Sequence, residues 1–119
     1  MQKITINGVE YPATFSLRAA IHAAEKYGSV QAIFDGGDEA SNITKRIWLL
    51  HELLVSGKTY AEKEYGEQTP EVPTFDDLLD TIGFTEITEL TALILSVVTE
   101  DQRAKIGVEA KKNGPTLAQ

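Results

Sequence analysis

A chain of 119 residues with 42% hydrophobic residues and four prolines has the size of one globular domain and enough apolar matter for a single core. Eleven Lys and Arg against eighteen Asp and Glu leave a net charge of -7, which repels phosphates and argues against nucleic-acid binding or an electrostatically held membrane protein. Without cysteine there is neither a disulfide framework nor a thiolate metal cluster, and a cytosolic setting is expected.

The opening MQKITINGVEYP alternates instead of presenting a charged start and an apolar run, so no secretory signal peptide is expected. Lys3 to Ile6 and Val9 to Ala13 are β-prone runs separated by Asn7-Gly8, the pair best suited to the two positive φ angles of a type I′ turn. This predicts a hairpin over 3–13, with Ile4 and Ile6 on one face of its first strand and Val9 and Tyr11 on one face of its second. Pro12 should weaken the ladder, and a lone hairpin needs a covering layer.

The spacing then turns helical. Ser16 reads as an N-cap and Gly28 as the C′ residue of a helix whose apolar side is Leu17, Ala20, Ile21, Ala24 and Tyr27. On the same wheel Arg18, His22, Glu25 and Lys26 face water. Ser29 opens a short helix through Phe34, which the run Asp35-Gly36-Gly37-Asp38-Glu39 ends.

A third helix is predicted from about Ser41 to Val55, ending at Gly57. Ile43, Ile47, Leu50 and Leu54 form its stripe, Leu49 and Leu53 widen it, and Trp48 and Val55 share a separate face roughly 120° away. Lys58 to Pro73 reads as a mobile, solvent-facing linker. Thr74 and Asp77 resemble a capping box opening a helix through Leu78, Leu79 and Ile82 to Gly83. Thr85 is expected to cap a longer helix with Ile87, Leu90, Leu93, Ile94, Val97 and Val98 in one arc and Leu95 outside it. Its run LTALILSVVTED falls well short of the ~20 apolar residues that cross a bilayer. The fold expected is mainly α with a small N-terminal β-hairpin, an α+β domain over 1–106 in which the hairpin packs on four to five helices. Residues 107–119, with Gly114-Pro115, read as a flexible tail.

No residue set converges on chemistry. The two histidines, His22 and His51, have no third ligand or orienting group that the pattern can place beside them, as a zinc or nucleophile–base site requires. Asp76, Asp77 and Asp80 fall in the first turns of a helix, where carboxylates meet the N-terminal dipole. The Asp35–Glu39 run lacks the alternating ligands and distal Glu of a calcium loop, and Gly36-Gly37 matches no phosphate-binding pattern. The expectation is a non-enzymatic domain without cofactor or metal that binds protein.

The opening KITINGVEYPATFSLRAAIHAAEKYGSV, then IWLLHELLVSG, TFDDLLDTIGF and TEITELTALILSVV, resemble in order and spacing the small tail assembly chaperones of phages and prophages of Gram-positive bacteria. The resemblance covers most of the chain. It implies an assembly factor in the cytoplasm of the bacterial host that escorts the tape-measure protein while the tail tube grows, and that is absent from the finished virion. It also implies a longer, frameshifted form of the protein, with an A-rich slippery run at Lys111-Lys112; a homo-oligomer is a further partner expectation. The candidate contact residues are Trp48, Leu49, Leu53 and Val55 with Leu93 and Leu95, since these exceed one core-facing stripe. The competing reading of the same acidic helical build is a prophage or bacterial adaptor that binds a host protein.

Overall fold

The computed structural model describes residues 2–112, with side chains described through Asp101. Strands β1 (Lys3–Ile6) and β2 (Val9–Pro12) pair antiparallel, with Ile4 opposite Tyr11 and Ile6 opposite Val9. Asn7 at φ 51° and Gly8 at φ 82° supply the two left-handed residues of the turn. Ile4, Ile6 and Tyr11 are buried, while Val9 at the tip stays exposed. Pro12, with no N–H to give, sits at the strand end opposite Lys3, and the Ala13 N–H continues the ladder to the Gln2 carbonyl at 2.9 Å.

Helix α1 (Leu17–Tyr27) is capped as its sequence requires: the Ala19 N–H donates to Ser16 Oγ, and Gly28, at φ 91°, donates its N–H to the Ala24 carbonyl. Its rotation differs from the expectation. Ala19 and Ala23 are the buried residues, whereas Leu17 is 73% and Ile21 48% exposed. Two alanines let the backbones of α1 and the neighbouring long helix approach closely, and polar ties fix the angle. Ser16 Oγ lies 2.8 Å from Ser56 Oγ, and His22 Nδ1 lies 2.7 Å from Glu52 Oε1. Helix α2 (Gln31–Phe34) follows, with the Ala32 N–H donating to Ser29 Oγ and Ile33 buried.

Helix α3 (Glu39–Tyr65) is far longer than the pattern indicated. It begins at the cap Asp38, whose carboxylate accepts from the Ser41 N–H at 2.9 Å, and passes through Gly57 to the left-handed Gly66 at φ 64°. Gly57 is no stop signal but a point of contact. A Cβ there would lie 2.1 Å from the Pro12 carbonyl oxygen, so only glycine lets β2 lie this close. One turn earlier, the Thr14 N–H donates to the Leu53 carbonyl at 3.2 Å.

The expected mobile linker is thus helix up to Tyr65, and its remainder is tied back. Lys58 Nζ donates to Glu62 Oε2 (2.7 Å) and to Thr69 Oγ1 (3.0 Å), and Thr69 Oγ1 donates to the same carboxylate oxygen.

Helix α4 (Phe75–Thr81) has the reciprocal cap read from Thr74 and Asp77. A 3-10 turn (Phe84–Glu86), closed by Gly83 N–H donating to Glu86 Oε1, leads into α5 (Ile87–Lys112), so Thr85 lies within the turn instead of capping the helix. Helix α5 buries Leu90, Ile94, Val97 and Val98. Asp101 fastens it to the start of α1, accepting from Thr14 Oγ1 (2.8 Å) and the Phe15 N–H (2.6 Å). The expected tail from Gly107 is helical to Lys112, and its last part, 113–119, lies outside the described residues.

The architecture is mainly α with an N-terminal hairpin, an α+β fold. Side chains of the hairpin and of all five helices join one apolar core, and α3 runs through it, packed on β2, α1, α2, α4 and α5. Among the described residues no single helix is long and apolar enough to cross a membrane.

Candidate functional site

The contact residues expected from the sequence do not form one surface. Leu49 and Leu53 are fully buried in the core and present nothing to a partner, which corrects their assignment. The reason is that α3 is covered on several sides, by β2, α1 and α5 among others, so its second apolar face is also interior.

Trp48 is half-buried, set edge-on to Tyr27 with ring centroids 5.4 Å apart, and Lys26 Nζ lies 5.5 Å from the Tyr27 centroid and 6.0 Å from that of Trp48. This cluster joins the end of α1 to α3. Burial of its ring pushes the Tyr27 phenol above its ordinary pKa. Leu93 and Leu95 are both exposed, but they flank the buried Ile94 at about 100° on either side and so point away from each other.

Val55 is exposed and lines a cleft of about 450 Å³ between the start of α1 and the second half of α3, together with Arg18, Tyr60 and Lys63. Tyr65, its ring edge-on to that of Tyr60 at 5.9 Å, raises the Tyr60 phenol by charge and hydrogen bond.

Of the histidines, His22 does have an orienting carboxylate, that of Glu52, supplied by the rotation of α1. The pair lies at the surface, with the His22 side chain 43% exposed. No three His, Asp or Glu side chains converge as a metal site among the described residues.

A second concavity lies between the first half of α3, α4 and the start of α5. It has two adjoining parts that share Ile43 and Ile87 as a common wall. One part, about 210 Å³, is apolar, lined by Ile47, Leu78 and Ile82 with Leu79 and Phe84. Leu79 is 42% and Phe84 69% exposed. The other, about 390 Å³, is polar and lined by Glu39, Asn42, Arg46, Thr88 and Thr91. Sequence reasoning missed this groove. It assigned Ile43, Ile47, Ile82 and Ile87 to core stripes, and nothing in the pattern shows that the polar residues of α3 and α5 meet. The only available signal was Phe84, a large aromatic beside Gly83 where a chain turns.

No family model matches the chain. No curated protein and no solved structure matches it either. The groove therefore carries the functional argument through its own geometry.

Proposed function

We propose that this protein is a phage or prophage tail assembly chaperone, acting in the bacterial cytoplasm, that holds apolar helical segments of a tape-measure protein before the tail tube encloses them. The observation that carries the reading is the apolar part of the α3–α4–α5 groove, where Leu79 and Phe84 remain exposed beside Ile47, Leu78 and Ile82. A groove with walls from three helices suits an amphipathic helix laid into it, with anchors at i, i+3, i+4 and i+7. The net charge of -7 supports the same reading, because it keeps a complex with a long apolar helix dispersed. The order of the sequence segments, which resembles the tail chaperones of Gram-positive phages, supports a tape-measure protein as the partner.

The test is co-expression with the long helical protein encoded nearby, followed by light scattering of the purified material. A soluble complex is expected with the unaltered chain and is lost with Phe84→Asp, while the circular dichroism of the free domain is unchanged. If the partner stays insoluble and the domain elutes alone, the chaperone reading fails and an adaptor for a host protein takes its place.

A further inference from the structure

The polar part of the groove holds three side-chain atoms that are closed off from solvent and have no hydrogen-bond partner: Asn42 Oδ1, Arg46 Nε and Thr91 Oγ1. Folded domains partner nearly all such atoms, so three around one cleft call for an explanation. We infer that this end of the groove recognises a primary carboxamide, a Gln or Asn side chain projecting from the helix whose apolar face fills the other end. The inference rests on reading the groove as a helix-binding site.

The kinds of atom decide the chemistry. Arg46 Nε–H is a donor, Asn42 Oδ1 an acceptor, and the Thr91 hydroxyl either. A carboxylate would satisfy Arg46 but face Asn42 Oδ1 and the Glu39 side chain, both acceptors that line the same cleft. An ammonium would suit those two and be repelled by the Arg46 guanidinium, which forms no ion pair among the described residues. A carboxamide offers a carbonyl for the donor and an NH₂ for the acceptor on two separate atoms, where a hydroxyl has only one.

Placement agrees with the chemistry. Asn42 and Arg46 stand one turn apart on α3, and Thr91 lines the same cleft from α5, next to the wall of Ile43 and Ile87 that both parts share. An amide at the edge of an apolar helical stripe thus reaches the cleft while the stripe rests against Leu79 and Phe84. Each of the three side chains gains its missing bond by turning towards that amide.

The experiment uses the full chain and labelled synthetic amphipathic helical peptides, identical except for one residue bordering the apolar stripe. That residue is Gln, Glu, Lys or Leu, placed in turn at each border position, and binding is read by fluorescence anisotropy. The best Gln peptide is expected to bind at least about tenfold tighter than its Glu, Lys and Leu counterparts. Asn42→Leu and Arg46→Met should each abolish that preference, so that the Gln peptide no longer binds tighter than the Leu peptide. Thr91→Val, the mildest change, should reduce the preference in a chain whose circular dichroism is unaltered.

Equal binding of the Gln and Leu peptides overturns the carboxamide and leaves the apolar groove standing. Tighter binding of the Glu or Lys peptide overturns it in favour of a charge site. If no peptide binds, and Phe84→Asp leaves the co-expressed complex intact, the groove reading itself falls.

Discussion

The replacement Gly57→Ala sets a helix preference against a steric contact and has a calculable outcome. The added Cβ would lie 2.1 Å from the Pro12 carbonyl oxygen, 2.4 Å from its carbon and 2.6 Å from the Ala13 nitrogen. Non-bonded heavy atoms settle near 3.5 Å, so β2 and α3 must part by more than about 1 Å. All three obstacles are backbone, so no side-chain rotation relieves them. Parting also stretches the nearby bond from the Thr14 N–H to the Leu53 carbonyl, already 3.2 Å. Overpacking costs about 1–3 kcal/mol and a lost buried backbone bond about 1 kcal/mol. The better helix propensity of Ala returns about 1 kcal/mol. The expected loss is about 1–3 kcal/mol, which lowers the Tm by about 4–12 °C in a domain of this size. Thermal melts followed by circular dichroism measure it, with Gly36→Ala as control, since a Cβ at Gly36 meets nothing within 4 Å. A Gly57→Ala melt within about 2 °C of the parent would refute the close approach of β2 to α3.

Thr91→Val exchanges a closed-off, unpartnered hydroxyl for a methyl of the same shape and should stabilise the free domain by about 1 kcal/mol, visible in urea unfolding as a higher midpoint with unchanged slope. In the same assay Leu53→Ala should cost about 2–5 kcal/mol, because Leu53 is fully buried. Val55→Ala, at an exposed position, should stay within about 0.5 kcal/mol, and equal losses would contradict the two burials. Hydrogen bonding from Lys58, followed by that from Thr69, holds the Glu62 carboxyl below its ordinary pKa. A depressed value means that the ionised form favours the fold. The contribution is present above the unfolded carboxyl's pKa and is lost as the pH falls through the folded one. At this exposed site it is small, and carboxyl NMR titration should show the Glu62 midpoint below that of a peptide glutamate and moved part of the way back by Lys58→Met, since the Thr69 bond remains.

What the sequence made legible is local. The Asn7-Gly8 turn, the Ser16 cap, the Gly28 terminus and the Thr74–Asp77 box each depend on a few neighbouring residues, and all stand where they were read. What it concealed depends on distant partners. Gly57 looks like a terminator until β2 is laid against it, and the Leu17–Ile21 side of α1 looks like its core face until Ala19 and Ala23 set the approach to α3. Leu49 and Leu53 looked surplus because one stripe is all a one-sided helix needs, and α3 is covered on several sides. The groove was hidden for the same reason. Asn42 and Arg46 on α3 and Thr91 on α5 form no motif and become neighbours only when the two helices pack.

The central position of α3 also sets how the domain breathes. With β2, α1, α2, α4 and α5 all resting on it, its amides from Ile47 to Leu54 exchange with solvent deuterium only when the whole core opens. Helix α4, seven residues long with Leu78 as its one fully buried side chain, is expected to open without that event. The α4 wall of the groove is therefore its less firmly held side, and on the proposed function a helix lying in the groove would clamp that wall from outside. Its arrival should register first as slowed exchange in α4, while the amides of α3 should gain only what binding adds to the stability of the whole domain.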